Sequence, residues 1–293
     1  MSISKTSSMP DDTTSLPPRQ TVRTPFGDIA YLEAGHGPAA LFIHGVFLNA
    51  DLWRHQLAGL AGLRRCIAVD LLAHGHSPCP PSGQELTISL QAEMILALLD
   101  TLGIDSADLV GNDSGGAIAQ LIVARAPARV RTLTLTNCEA HDNFPPAAFA
   151  SVHQMAREGT LAAGLAALAA DPDLARAAMA SSFEDPDCLS DETARSYFGP
   201  FASAEKAEAV QRYVAGIDSS VTVAIRDDLA RFLNPTLIVW GTADQFFAVH
   251  WARWLAATIP GTVRCVEVEG AKLLFPAERP GTLNRELRDL WGQ

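Results

Sequence analysis

The 293-residue chain is 48% hydrophobic and 19% charged, the balance of an ordinary globular protein and not of a disordered one. Its net charge of −11 leaves no basic face to neutralise phosphates, which argues against a nucleic-acid partner. Five cysteines, at 66, 79, 138, 188 and 265, are odd in number and lack Cys-x-x-Cys spacing, so they read as reduced thiols and not as a disulfide framework or a structural zinc site.

In chain order, residues 1–19 are polar and rich in Pro, Ser and Thr, and read as a disordered N-terminal tail with no secretory signal. Short apolar runs bounded by turn residues follow at 39–45 (AALFIHG), 65–72 (RCIAVDLL), 107–113 (ADLVGND) and 130–137 (VRTLTLTN). Two more lie at 235–244 (PTLIVWGTAD) and 263–270 (VRCVEVEG). Most are continuous, without strict alternation, as in strands covered on both faces. Helical patterns separate them. In 86–103, Leu90, Met94, Leu98 and Leu102 recur at steps of four and the pattern stops at Gly103. Alternating strands and helices predict an α/β fold with a mostly parallel central sheet flanked by helices. From 141 to 230 the strand rhythm is lost and the chain is alanine-rich, which predicts an inserted helical cap on a core made of 20–140 and 231–293. The run LAAGLAALAA at 161–170 is about half the ~20 residues of a membrane span, so no membrane association is expected and the location expected is cytoplasmic.

In parallel sheets, ligands collect beyond the carboxyl ends of the strands. At one such end the chain reads Gly111-Asn112-Asp113-Ser114-Gly115. This is the strand–turn–helix frame G-x-Nu-x-G, whose glycines permit the sharp turn that lifts the middle side chain above the sheet. The middle residue is Asp113. Centring the frame on Ser114 puts Asn112 where the first glycine belongs. The plainer alternative is that Asp113 only caps the helix that follows.

These residues resemble the α/β-hydrolase superfamily, in particular the haloalkane dehalogenase and epoxide hydrolase type with aspartate at the nucleophile elbow. His44-Gly45 after a strand, DLLAHGHS at 70–77 with Ala73 in place of a glycine, and WGTAD at 240–244 fit the same resemblance. It implies the α/β-hydrolase fold and a cofactor-independent hydrolase acting on a small, largely apolar haloalkane- or epoxide-like substrate. Asp113 would form an alkyl ester, the backbone N–H groups of Val46 and Ser114 would form the oxyanion hole, and Asp244 would orient a water-activating histidine. With a reference pKa of about 3.9, Asp113 is expected to be ionised at neutral pH.

The resemblance fails at one place. The family's late histidine falls in the segment GAKLLFPAERP at 270–280, where the position holds Leu273, and no histidine follows His250. Losing general-base assistance costs typically ~10²–10⁴ in rate. The favoured replacement is His141, directly after a strand, with Glu139 and Asp142 as orienters; His250 and a desolvated Lys272 are weaker candidates. His44, Phe47, Trp53, Phe144, Phe246 and Phe247 are expected to contact substrate, although His44 suits a structural role, bracing the loops around the site, better than direct chemistry, and Asp244 equally suits a turn. The His74/His76 pair lacks further ligands at metal spacing, so no metal and no cofactor are expected. Expected partners are a small-molecule substrate and a second copy of the chain in a homodimer. The alternatives are a lyase, isomerase or cyclase using Asp113 as general acid/base, and a non-catalytic ligand-binding pseudo-hydrolase.

Overall fold

The computed structural model describes residues 15–292. Eight strands form one sheet: β1 (Gln20–Thr24), β2 (Gly27–Ala34), β3 (Ala39–Ile43), β4 (Arg65–Val69), β5 (Ala107–Asn112), β6 (Val130–Thr136), β7 (Thr236–Gly241) and β8 (Thr262–Val268). Their order is β1-β2-β4-β3-β5-β6-β7-β8. β1 and β2 are antiparallel to their neighbours, and the rest of the sheet is parallel. Every residue of β3, β5 and β7 is buried, which is why those segments are continuous apolar runs. β8 closes one edge and is only half-buried.

Helices α1 (Arg54–Leu60), α2 (Ile88–Thr101) and α3 (Ser114–Arg125) connect the first parallel strands. α2 begins where the Thr87 side chain accepts the Leu90 N–H and ends just before Gly103, which takes φ 65°. Between β6 and β7 the regular elements are helical: α4 (Ala150–Arg157), α5 (Leu161–Ala170), α6 (Pro172–Met179), α7 (Asp191–Phe198), α8 (Ala204–Ala215), α9 (Ser220–Ala224) and α10 (Arg226–Leu229), with short 3₁₀ turns among them. The chain ends through α11 (His250–Thr258), α12 (Phe275–Glu278) and α13 (Pro280–Trp291). No helix among the described residues is long and apolar enough to cross a membrane.

Polar contacts tie the inserted helices to the loops after β3 and β4. Asn49 Nδ2 donates to the Ser196 carbonyl at 2.7 Å, and Lys206 Nζ donates to the Gly75 carbonyl at 2.6 Å. Most of the tail read at 1–19 lies outside the described residues. Arg19, its last residue, pairs with Asp51 at 2.5 Å and Asp70 at 2.6 Å, so the chain is fixed to the core before β1 begins. Asp70 also accepts N–H bonds from Ala50 and His76. Burial pushes its carboxyl upward, but His76, Arg19 and those N–H groups outweigh it and hold Asp70 down at about 2.

Candidate active site

From β3 the chain moves to β4 on one side of the sheet, then returns to place β5 on the other side of β3. This is the topological switch point of the sheet, where the loops leaving two neighbouring strands part and open a crevice. Val46 follows β3 and Asp113 follows β5 at that crevice. Asp113 has φ 53° and ψ −137°, a conformation L-residues rarely adopt. Its side chain makes no capping bond to α3 and takes hydrogen bonds from the backbone N–H groups of Ser114 and Val46. Two glycines make this approach feasible. A Cβ on Gly115 would overlap the Ile43 carbonyl, and a Cβ on Gly45 would overlap the Asp113 carboxylate itself.

Three carboxyl groups gather at this end of the sheet. Asp244, after β7, accepts Asn137 Nδ2 at 2.6 Å and the Phe246 N–H at 2.8 Å. Asn137 also spans β7, its Oδ1 accepting the Gly241 N–H at 2.7 Å. Glu139 lies in the loop after β6; its backbone carbonyl accepts Gln120 Nε2 at 2.7 Å, and its Oε2 is buried without a hydrogen-bond partner. Burial raises the pKa of all three. For Asp113 the charge of Asp244 adds to burial while the Ser114 and Val46 N–H groups oppose it, leaving it at about 7. Asp244 is raised to about 6 by burial against the pull of Phe246, Asn137 and Phe247. Glu139 is pushed well above the carboxylate range by burial and then by the charges of Asp113 and Asp244. The expectation that Asp113 is fully ionised at neutral pH is therefore corrected: the reference value holds for a solvated carboxyl, and this one is buried beside others.

Asp113, Ser114 and Glu139 face a cavity of about 470 Å³, a volume suited to a small molecule. Its wall is mostly apolar, with Phe47, Phe144, Phe246 and Phe247 of the residues expected from the sequence, joined by Phe149 and Leu273. No Lys, Arg or His is among the described residues that line it.

Residues 38–276 match the family described as alpha/beta hydrolase fold. The chain belongs to the α/β-hydrolase fold family. This α/β hydrolase is 41% identical over 100 residues to epoxide hydrolase 2 of Siraitia grosvenorii, a stretch that is 34% of the chain but only 32% of that relative. It is 26% identical over 280 residues to haloalkane dehalogenase 2 of Mycobacterium bovis, covering 91% of this chain and 92% of that one. Among solved structures, haloalkane dehalogenase DbeA from Bradyrhizobium elkani superposes with a TM-score of 0.79 at 25% identity, over 94% of this chain and 97% of that one.

The other residues singled out in the sequence of this α/β hydrolase divide by position. Val46, Phe47, Ser114, Phe144, Phe246 and Phe247 all line the cavity. Trp53 does not: it is fully buried in the core, its ring 5.4 Å from Phe42, because the 3₁₀ turn that carries it points inward. His44 does not line the cavity either. Its Nε2 accepts the Leu71 N–H at 3.1 Å, Nδ1 donates to the Gly45 carbonyl at 2.7 Å, and burial lowers its pKa to about 4, so it braces the loops as a neutral ring.

His141 is not brought to the cavity. It turns at φ 50°, packs its ring at a tilt against Trp254 with centroids 5.0 Å apart, and has Nδ1 3.4 Å from Asp142. Of its two expected orienters, Asp142 is beside it and Glu139 faces the cavity instead. His250 is exposed with its ring tilted against Trp251 at 4.8 Å, and Lys272 reaches the Ala180 carbonyl at 3.5 Å. Leu273 occupies the cavity wall while its carbonyl accepts Asn112 Nδ2 at 3.0 Å. His74 turns inward against Phe201 at 5.9 Å, whereas His76 is exposed, so the pair shares no site. Sequence reasoning missed Asn137 and gave Glu139 only a supporting part. The signal for both was their place directly after β6, beside Asp113's strand.

Proposed function

We propose that this protein is a cofactor-independent hydrolase that uses Asp113 as its nucleophile on a small, largely apolar molecule bearing an electrophilic carbon, haloalkane- or epoxide-like. The observation that carries this reading is the Asp113 carboxylate, lifted out of its own helix and held by the Val46 and Ser114 N–H groups at the floor of an apolar cavity. Those donors suit the second half of such a reaction. Once Asp113 is an ester, water attack on its acyl carbon places negative charge on the oxygen that both N–H groups address. Asp244, fixed by Asn137 and Phe246, keeps a negative charge near the site. The relatives whose names are haloalkane dehalogenase and epoxide hydrolase support the same reaction class.

Intact-protein mass spectrometry after exposure to 1-bromohexane tests this reading. A hexyl adduct that maps to the peptide holding Asp113, and is lost in Asp113→Asn, is the expected result. An adduct formed equally in Asp113→Asn, or modification elsewhere, overturns it.

A second reading has one specific observation in its favour. A carboxyl near 7 is suited to give and take a proton at neutral pH, so Asp113 would serve a lyase, isomerase or cyclase without forming an ester. Under that reading, 1-bromohexane is not turned over and leaves no adduct on Asp113, transient or lasting.

A further inference from the structure

Every base expected from the sequence is turned away from the cavity, yet an alkyl ester on Asp113 needs a group to take a proton from water. Among the described residues lining the cavity, the ionisable side chains are Asp113 and Glu139. Glu139 is 3% exposed, its Oε2 has no hydrogen-bond partner, and its backbone is anchored by Gln120 from α3. A buried carboxyl oxygen without a partner is costly unless something else occupies its hydrogen-bonding site. Glu139 lines the cavity, so an unpartnered oxygen on its carboxyl is suited to a partner admitted there, a water or a substrate atom.

We propose that Glu139 is the proton carrier of this site, taking on itself the acid and base duties of the absent histidine. The proposal rests on the reading of Asp113 as nucleophile. The groups that face Glu139 set its behaviour: Asp113 from the elbow, Asp244 from the end of β7, the Cys138 thiol beside it, and the Tyr213 hydroxyl from α8, which bonds the Ser114 side chain. Tyr213 and Cys138 are both raised by burial and stay neutral. The charge that Glu139 responds to is therefore carboxylate charge. While Asp113 is ionised, Glu139 holds its proton. When Asp113 becomes a neutral ester, that repulsion is gone and Glu139 ionises more readily, at the stage where a base is required.

With an oxirane the cycle balances. Asp113 attacks the ring carbon, the carbon–oxygen bond opens, and Glu139 gives its proton to the leaving oxygen, which stays in the substrate as a hydroxyl. Ionised Glu139 then takes a proton from water as the hydroxide adds to the Asp113 acyl carbon. The tetrahedral adduct expels the diol oxygen, which receives that proton, and the shared proton of Asp113 and Glu139 is restored. A halide differs: it departs carrying the charge that Asp113 gave up, into a cavity whose described lining offers no Lys, Arg, His, Trp or Asn side chain to receive it. Oxiranes are thus the favoured substrate class over haloalkanes.

The variant Glu139→Gln separates this proposal from the reading beneath it. With 1-bromohexane, whose first step needs no proton, Glu139→Gln is expected to form the Asp113 adduct within a few-fold of the wild-type rate, which also reports an intact site. The adduct is then expected to persist, its hydrolysis slowed by about 10²–10⁴ relative to wild type. Turnover of 1,2-epoxyhexane falls by a similar factor, and Glu139→Asp recovers part of it. If Glu139→Gln hydrolyses the ester at the wild-type rate, or the wild type itself keeps the adduct indefinitely, Glu139 is not the base although Asp113 remains the nucleophile. Absence of any adduct and any turnover in wild type overturns both.

Discussion

Asp113 is only partly ionised at neutral pH, because burial and Asp244 raise it to about 7 while the Val46 and Ser114 N–H groups pull it back. Adduct formation with 1-bromohexane should therefore rise with pH through about 7 and level off above it; a rate independent of pH from 5 to 9 contradicts the assignment. Asp113→Asn removes a charge that the site disfavours while keeping the size. Its melting temperature at pH 8 should exceed wild type by about 2–4 °C, the trade of stability against function expected at a strained site. Leu273 lines the cavity where the resemblance calls for a histidine. Leu273→His should speed hydrolysis of the Asp113 ester by about 10²-fold, measured as decay of the hexyl adduct in the Glu139→Gln background. At this scale the sequence was informative where a residue's placement follows from its neighbours along the chain: the glycines around Asp113 mark the sharp turn between β5 and α3. It was silent where the role depends on the direction of a loop. Asn137 at φ 23° and His141 at φ 50° bend the segment after β6 so that Glu139 faces the cavity and His141 faces Trp254, and no local pattern announces either turn.

At the scale of elements, β3 to β7 were readable because burial on both faces demands unbroken apolar runs, and the half-buried edge strand β8 from its cluster of valines. β1 and β2 were not, since β1 is an exposed edge strand whose polar residues resemble a loop. The loops between elements carry the site's tightest constraints. Gly45 leaves room for the Asp113 carboxylate, so Gly45→Ala should reduce adduct formation by about 10²-fold with the fold retained, as judged by circular dichroism. Ala73 stands where the family pattern has glycine, and it is forced to φ 64° in the buried loop after β4. Left-handed backbone costs a non-glycine residue roughly 1–2 kcal/mol, more than glycine's extra chain entropy. Ala73→Gly should therefore stabilise the protein by up to about 1 kcal/mol in urea unfolding, and a loss of stability contradicts the reading of that turn.

For the whole molecule, the switch point places the loops after β3 and β5 side by side, and the helices from α4 to α7 supply much of the apolar wall above them. The same burial makes stability depend on pH. Asp113 binds its proton more tightly folded than unfolded, about 7 against 3.8, and Glu139 is shifted in the same direction. Between pH 6.5 and 8 the folded state thus holds more protons than the unfolded chain, and stability falls as pH rises. His44 and His74, lowered to about 4 and about 3 when folded against 6.5 when unfolded, act in the opposite sense at the lower end of that window and are neutral in both states by pH 8. The most direct test of the covalent reading is a single turnover of 1,2-epoxyhexane in ¹⁸O-water, followed by mass analysis of the peptide holding Asp113 and of the diol. Attack by Asp113 puts the first label in its own carboxyl group and leaves the diol unlabelled; label in the diol with none in Asp113 means that water attacked the substrate directly and no ester was formed.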